Sequence, residues 1–240
     1  MSKLSTKYLG LLPSPAELKI ICKAISALEA IICQDWEYRY YSYQSGWSET
    51  EELFEMRNGQ GDQMLILFSE QGTCINGFAH ESEMNGWKRA KQNQKKSFFQ
   101  KLYGSREKLV QELPKGLVDD LPKVFNDFIF DEPIKSIGTT FCIWRTTTDQ
   151  EWIMGNTPSF DNKYGNGSSY LLQLLDGSPM SYKRWAEDYY EEIDLNLEAI
   201  EKLYNQTVLT KELIISINPE IEDIESLKSD LQEIGYPNRL

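Results

Sequence analysis

The amino-acid sequence predicts an α+β protein, in which a mainly antiparallel sheet is covered by helices and followed by a helical C-terminal region. Three observations lead to this prediction. Apolar residues recur at helical spacing over residues 16–33, directly after a Ser-Pro start signal. Short aromatic and apolar runs separated by glycine-containing turns fill residues 35–87, which is typical of strands. Beyond residue 165 the apolar pattern is mainly helical.

The first helix begins at a capping signal. Ser14 is the predicted N-cap, Pro15 suits the first helical position, and Glu17 completes a capping box. A stripe of apolar residues follows at spacings of three and four, namely Leu18, Ile21, Cys22, Ile25, Leu28 and Ile32. Because such a stripe is usually buried, we expect this helix to cover the sheet.

The next segments predict most of the sheet. The dense aromatic pattern of residues 36–43 favours a strand. Residues 48–51 read Ser-Glu-Thr-Glu, a second capping box, and therefore predict a short helix that ends at Arg57. Residues 58–62 are typical of a turn. An antiparallel hairpin follows, with strands at residues 64–68 and 73–79.

The middle of the chain is predicted to add a helix over residues 88–112 and a short element over residues 124–130. Residues 139–147 and 151–154 predict a second hairpin, and residues 156–169 a loop rich in Asn, Gly and Ser. Further helices are predicted at residues 170–175, 182–192, 195–204, 211–217 and 220–234. We therefore divide the chain into an α+β core over residues 1–165 and a helical region over residues 166–240, docked as one compact unit.

The chain is acidic, with a formal net charge of −12 and a pI of about 4.7. Nucleic-acid-binding proteins displace counterions with a basic surface, so the charge argues against nucleic acid as a partner. Residues 187–240 carry 14 acidic and 4 basic residues, whereas residues 83–115 carry 9 basic and 3 acidic ones. This asymmetry can steer a charged protein partner, although charged segments are most often solvated helix faces.

No apolar run approaches the ~20 residues that a membrane-spanning helix needs, and the N-terminus lacks the apolar region of a signal peptide. We therefore expect a cytoplasmic protein that does not engage a membrane. The four cysteines show no CxxC spacing, and HExxH is absent, so we expect neither a metal nor another cofactor. Free, buried thiols are the favoured interpretation of Cys22, Cys33, Cys74 and Cys142.

His80 is the chain's single histidine, so any chemistry that needs an imidazole must use it. Glu81, Glu83 and Asp62 are the carboxylates that could orient it in a hydrolase. Cys74 falls on the same strand face about 20 Å away, too far for a nucleophile–base pair. No G-x-S-x-G motif is present either. The favoured interpretation is a strand-end histidine bonded to Glu81 or Glu83, with catalysis as the alternative.

Two of the six tryptophans are candidate binding residues. Trp47 and Trp87 each follow a glycine at a segment boundary, where exposure is expected, whereas most tryptophans fill a core. With His80 they form the predicted recognition rim.

Two glycine-rich stretches are candidate anion sites. Residues 58–61 lead into a strand instead of a helix, so the phosphate-cradle geometry is not expected there. Residues 165–169 do precede a helix but lack the lysine of a P-loop, which favours Ser168 or Ser169 as a simple N-cap.

Parts of both halves of the chain resemble an uncharacterised family of bacterial cytoplasmic proteins. Residues 40–82 (YYSYQSGWSETEELFEMRNGQGDQMLILFSEQGTCINGFAHES) are similar to the N-terminal half of that family. Residues 174–191 (LLDGSPMSYKRWAEDYYE) and 218–237 (NPEIEDIESLKSDLQEIGYP) resemble its C-terminal half. The resemblance brings no catalytic residue with it. In type the chain is similar to the acidic, aromatic-rich immunity proteins of bacterial toxin systems, which implies a protein partner.

Three hypotheses for function follow. The leading one is a non-enzymatic binding protein, in particular an immunity-type inhibitor that occludes its partner with acidic and aromatic surface. The second is a hydrolase that uses His80 with neighbouring carboxylates. The third is a carbohydrate- or peptide-binding module with exposed aromatic residues at Trp47 and Trp87.

Overall fold

The computed structural model describes residues 4–87, 113–157, 165–190 and 193–240. Their architecture is α+β, as predicted, and the sheet is antiparallel with six strands side by side in chain order. The strands are β1 (Tyr41–Gln44), β2 (Glu51–Arg57), β3 (Gln63–Ser69), β4 (Gly72–Phe78), β5 (Phe141–Thr146) and β6 (Ile153–Met154).

The α-helices within the described ranges are α1 (Pro15–Ile32), α2 (Asn126–Phe130), α3 (Ile134–Ile137), α4 (Ser168–Leu171), α5 (Pro179–Tyr189), α6 (Leu197–Tyr204), α7 (Lys211–Ile217) and α8 (Ile224–Ile234). Single 3-10 turns occupy Leu9–Leu11, Trp36–Tyr38 and Lys123–Phe125. No helix in the described ranges is both long enough and apolar enough to cross a membrane.

Helix α1 begins as predicted, with Ser14 as N-cap. The Ser14 hydroxyl accepts a hydrogen bond from the Glu17 amide, and the Glu17 carboxylate accepts one from the Ser14 amide, so both halves of the capping box form. Burial extends beyond the predicted stripe to Ala24, Ala27 and Ala30. The reason is that α1 packs against β1 and also against α6, α7 and α8, so it is enclosed between the sheet and the C-terminal helices.

The predicted helix over residues 48–57 is wrong, because Glu51–Arg57 is strand β2. This strand pairs along its whole length with β3 and also pairs with β1. In place of the capping-box bonds, the Ser48 amide donates to the Glu51 carbonyl and the Ser48 hydroxyl donates to the Glu51 carboxylate, both at 3.1 Å, and these bonds close the turn that enters the strand. The predicted strand over residues 36–43 begins late, because Asp35 caps the 3-10 turn before β1.

The sheet is buried on both faces. The larger core lies between the sheet and α1, and Phe54, Met64, Ile66, Ile75 and Ile143 belong to it. A smaller core on the opposite face joins the sheet to α2 and α3, through Leu65, Leu67, Trp144, Phe125 and Ile129. Because helices cover both faces, β4 is buried at every position. Its sequence therefore lacks the alternation of apolar and polar residues that is typical of a strand with one exposed face.

Both predicted hairpins are present, as β3–β4 and as β5–β6. The predicted C-terminal helices correspond to α4–α8, with α7 at the predicted bounds and the others shifted or shortened by a few residues. The larger core continues from α1 into these helices, across the boundary proposed at residue 165. The predicted helix and basic segment over residues 88–112 lie outside the described residues.

Candidate functional site

His80 follows β4 at one end of the sheet, and its ring is exposed. The side chain is 52% accessible, and Nδ1 lies 3.1 Å from Oε1 of Glu81. Asp62 does not orient the ring, because its carboxylate accepts the backbone amide of His80 at 2.7 Å and the side-chain amide of Asn58 at 2.9 Å. The carboxylate of Asp62 therefore closes the β2–β3 turn, and the imidazole has the exposed Glu81 beside it.

Trp87 lies near His80 but is half-buried. The side chain of Asn85 donates to the His80 carbonyl and accepts from the Trp87 amide, both at 2.9 Å, so it joins the two residues. The indole N–H of Trp87 donates to the Ile137 carbonyl at 3.0 Å. The indole N–H of this tryptophan is thus occupied by a bond within the protein. Glu83, another predicted site residue, is exposed in the same segment.

Trp47 lies at the opposite end of the sheet, in the turn between β1 and β2, and is 43% exposed. The register pairs Glu51 with Ser69 at that end and Arg57 with Gln63 at the His80 end. Six residue steps separate the two ends, which is about 20 Å of strand. Trp47, His80 and Trp87 therefore do not form the single rim predicted from the sequence.

The predicted cap at Ser168 or Ser169 is also replaced by other contacts. Gly167, with a φ of 84°, is the N-cap of α4, and the side chain of Asn166 accepts from the Ser168 amide at 3.1 Å. The Ser168 hydroxyl accepts from the Thr6 amide at 3.1 Å, which ties α4 to the N-terminal segment. This turn is a structural junction.

A polar network that the predictions missed surrounds Glu29 in α1. Its carboxylate is fully buried and accepts hydrogen bonds from the hydroxyls of Tyr182 at 2.8 Å and Tyr190 at 2.7 Å. The amides of Tyr40 and Tyr41 donate to it at 2.9 and 3.4 Å. Burial raises the pKa of Glu29, and these four hydrogen bonds oppose that shift. The network joins α1, β1 and α5.

One signal in the sequence could have revealed this network. Glu29 is four residues after Ile25 and seven after Cys22, so it falls on the buried stripe of α1. Aromatic residues close around it, with rings about 5–6 Å apart in the set Tyr40, Tyr41, Tyr182, Trp185, Tyr189 and Tyr190. Because the carboxylate has no solvent access, it stabilises the fold and does not meet a ligand.

Concave surface is found at both ends of α1. The α1-start cleft, of about 520 Å³, lies between the beginning of α1, the α4–α5 connection and the end of α6. The α1-end cleft, of about 490 Å³, lies between the end of α1, residues 193–195 and the α7–α8 connection. Both volumes fall in the range typical of ligand pockets. The described lining of these clefts includes none of His80, Trp47 and Trp87.

The wall of the α1-end cleft is held rigidly. The Gln34 side chain donates to the Asp223 carbonyl at 2.7 Å and accepts from the Glu222 and Asp223 amides at 3.0 and 3.2 Å. The Asn218 side chain donates to the Ile31 carbonyl at 2.8 Å. These bonds fasten the backbone of the α7–α8 connection, which carries Glu220 and Glu222, to the end of α1.

Within the described residues, no set of three or more His, Cys, Asp and Glu side chains has the arrangement of a metal site. Comparison with models of protein families, with curated protein sequences and with solved structures found no match. The resemblance to a bacterial family, and the roles proposed for His80, Trp47 and Trp87, stay predictions.

Proposed function

We propose that this chain is a non-enzymatic binding protein that occludes a basic protein partner, specifically an immunity-type inhibitor of a bacterial toxin. The observation that supports it is the α1-end cleft, whose lining is half apolar and half polar and includes Asp194, Glu220 and Glu222, with no Lys, Arg or His among the described lining residues. The apolar part of the lining consists of Ile32, Ile193, Leu195, Ile217 and Pro219.

Each part of this cleft has a separate role in binding. The apolar lining supplies the area that a partner's side chain buries, which is the main source of affinity. The carboxylates accelerate encounter with a basic surface, because their field extends over about a Debye length. A side chain anchored in this cleft accounts for only part of the ~800 Å² that each partner buries in a standard interface, so the surrounding surface must contribute as well.

The charge of the rim is largely uncompensated. Lys183 lies 3.3 Å from Asp194, so that carboxylate is partly neutralised. Glu220 and Glu222 are exposed and form no ion pair with another described residue. Their charge is therefore available to a cationic partner, in agreement with the acidic composition of the C-terminal region.

Co-expression of the full chain with candidate secreted toxins tests this function. We expect one basic toxin to be neutralised and to form a stable complex. In that complex Glu220→Gln with Glu222→Gln should lower the association rate roughly tenfold at low salt, with less effect at high salt.

The matched control is Glu49→Gln with Glu70→Gln, which removes the same charge from exposed positions at one end of the sheet. An equal effect of both pairs would show that net charge alone is responsible and would contradict the assignment of the cleft. The absence of any stable partner among basic toxins would contradict the proposed function itself.

A further inference from the structure

The α1-start cleft has the chemistry of a site for a cation with an apolar stem. Three carboxylates line it, those of Glu17, Asp176 and Glu201, and no Lys, Arg or His belongs to its described lining. Its walls also include Pro13 and Ile20, and Ile20 is 41% exposed although it is apolar. A ligand that fills this cleft must therefore match carboxylates at one part and cover methyl and methylene groups at another.

The polar groups of the cleft have hydrogen-bonding capacity left. Glu17 uses Oε2 for the amide and hydroxyl of Ser14, and its Oε1 has no donor among the described residues. The bonds from Ser14 lower the pKa of Glu17. Glu201 is exposed and forms no side-chain bond to another described residue. Tyr204 lines the cleft, and its buried hydroxyl has no hydrogen-bond partner among the described residues.

The helices that border the α1-start cleft contribute to its electrostatic potential. Helix α6 ends here, with Tyr204 as its last residue and Asn205 as its C-cap, so the negative end of its dipole faces this region. The beginning of α1 also lies here, but the carboxylate of Glu17 caps it and offsets its positive end. The net preference is for a positively charged ligand.

We propose that the α1-start cleft binds an alkylammonium group, carried by a linear polyamine or by a lysine side chain. The ammonium donates to Glu201 and Glu17, and the methylene chain lies over Ile20. This site is about 27 Å from the α1-end cleft along the 18 residues of α1, and it does not depend on the proposed function.

Calorimetric titration of the full chain with spermidine and, separately, with a tetralysine peptide tests the proposal. We expect saturable binding with one site for at least one of them. Glu201→Gln should weaken it roughly three- to tenfold, as expected for loss of one charge-assisted contact. Ile20→Asn, which changes no charge, should weaken it as well, because the methylene chain loses its apolar support.

The matched control is Glu198→Gln, on the same helix one turn earlier, where the carboxylate is paired with Lys202 at 2.8 Å. This variant should bind like the unchanged protein. Binding by spermidine identifies a free amine as a sufficient ligand, and binding by tetralysine alone identifies a lysine side chain. Equal weakening by Glu198→Gln and Glu201→Gln, no effect of Ile20→Asn, or no saturable binding of either probe would overturn the proposal.

Discussion

Glu29 is the residue whose substitution separates charge from hydrogen bonding. Glu29→Gln keeps one carbonyl oxygen for Tyr190 and the Tyr40 amide, and its new amide group can donate to the hydroxyl of Tyr182. It also removes a charge that burial disfavours. Because the Tyr182 O–H then loses its carboxylate acceptor, we expect a modest cost of about 1–2 kcal/mol in the free energy of unfolding.

We expect Glu29→Ala, in contrast, to lower the free energy of unfolding strongly. It leaves two tyrosine hydroxyls and the Tyr40 amide without their acceptor and opens a cavity, so it should cost about 3–5 kcal/mol. Urea unfolding of both variants at neutral pH measures the difference. A Gln variant as unstable as the Ala variant would mean that the negative charge itself holds the three elements together.

At this scale the sequence was informative about residue types but not about their partners. The proximity of His80 to Glu81 follows from their adjacency in the chain, and the structure shows that contact. The contact of Asp62 with the His80 amide depends on the β3–β4 register and on a turn 18 residues away. The two tyrosine hydroxyls that donate to Glu29 are more than 150 residues distant in the chain, beyond the reach of periodicity.

Helix α1 is joined to the sheet by the carboxylate of Glu52 on β2. It accepts from Lys19 at 2.7 Å, from Lys23 at 2.8 Å and from the Tyr43 hydroxyl at 2.7 Å. Burial raises the pKa of Glu52, but these three donors outweigh burial and lower the pKa to about 2. The stabilisation is therefore complete above the ordinary value of 4.5 and is lost as the pH falls towards 2.

Glu52→Gln should cost about 1–2 kcal/mol near neutral pH, since solvent screening reduces the full effect of the pKa shift. The cost of Glu52→Gln should shrink steadily as the pH falls below about 4.5, because the stabilisation by ionised Glu52 is lost between 4.5 and about 2. Urea unfolding at a series of pH values from about 7 to about 3 measures this difference. Glu70→Gln, an exposed substitution, is the control, and a constant cost of Glu52→Gln at every pH would contradict the assignment.

Strand β2 shows why a local signal can fail for a whole element. Ser48 and Glu51 have the residue types and spacing of a capping box, but neither of its two side-chain–backbone bonds forms, and the chain continues as a strand. A capping box contributes about 1 kcal/mol, whereas two flanking strands supply a ladder and bury Phe54 and Met56. The start of α1 and the β3–β4 hairpin were predictable because their defining contacts join residues that are close in the chain.

We expect the whole molecule to unfold in one cooperative step, and the reactivity of its thiols can test this expectation. Cys22 lies in the larger core, whereas Cys74 and Cys142 lie in the smaller core on the opposite face, where their thiols are 3.9 Å apart at hydrogen-bond distance and form no disulfide. Burial raises the pKa of Cys22 and Cys74, which suppresses the reactive thiolate. Cys33 is only partly buried.

We expect Ellman's reagent to modify at most Cys33 in the native protein and all four thiols in urea. Under native conditions the three buried cysteines should be labelled at one common slow rate, because the sheet is shared by both cores. Mass spectrometry of timed samples resolves the sites. Early labelling of Cys74 and Cys142 without Cys22 would show that the two faces open separately.

The enclosure of α1 has a consequence for synthesis on the ribosome. The α8 residues that cover this helix end at Ile234, some 200 residues after α1 is complete. At ~5–20 residues per second, roughly 10–40 s pass before the last of them emerges. During that time α1, which has apolar residues on nearly all sides, is not yet packed against α8. We therefore expect chains truncated before α8 to be retained by chaperones or to aggregate, and we expect this unit to complete its folding only after α8 has emerged.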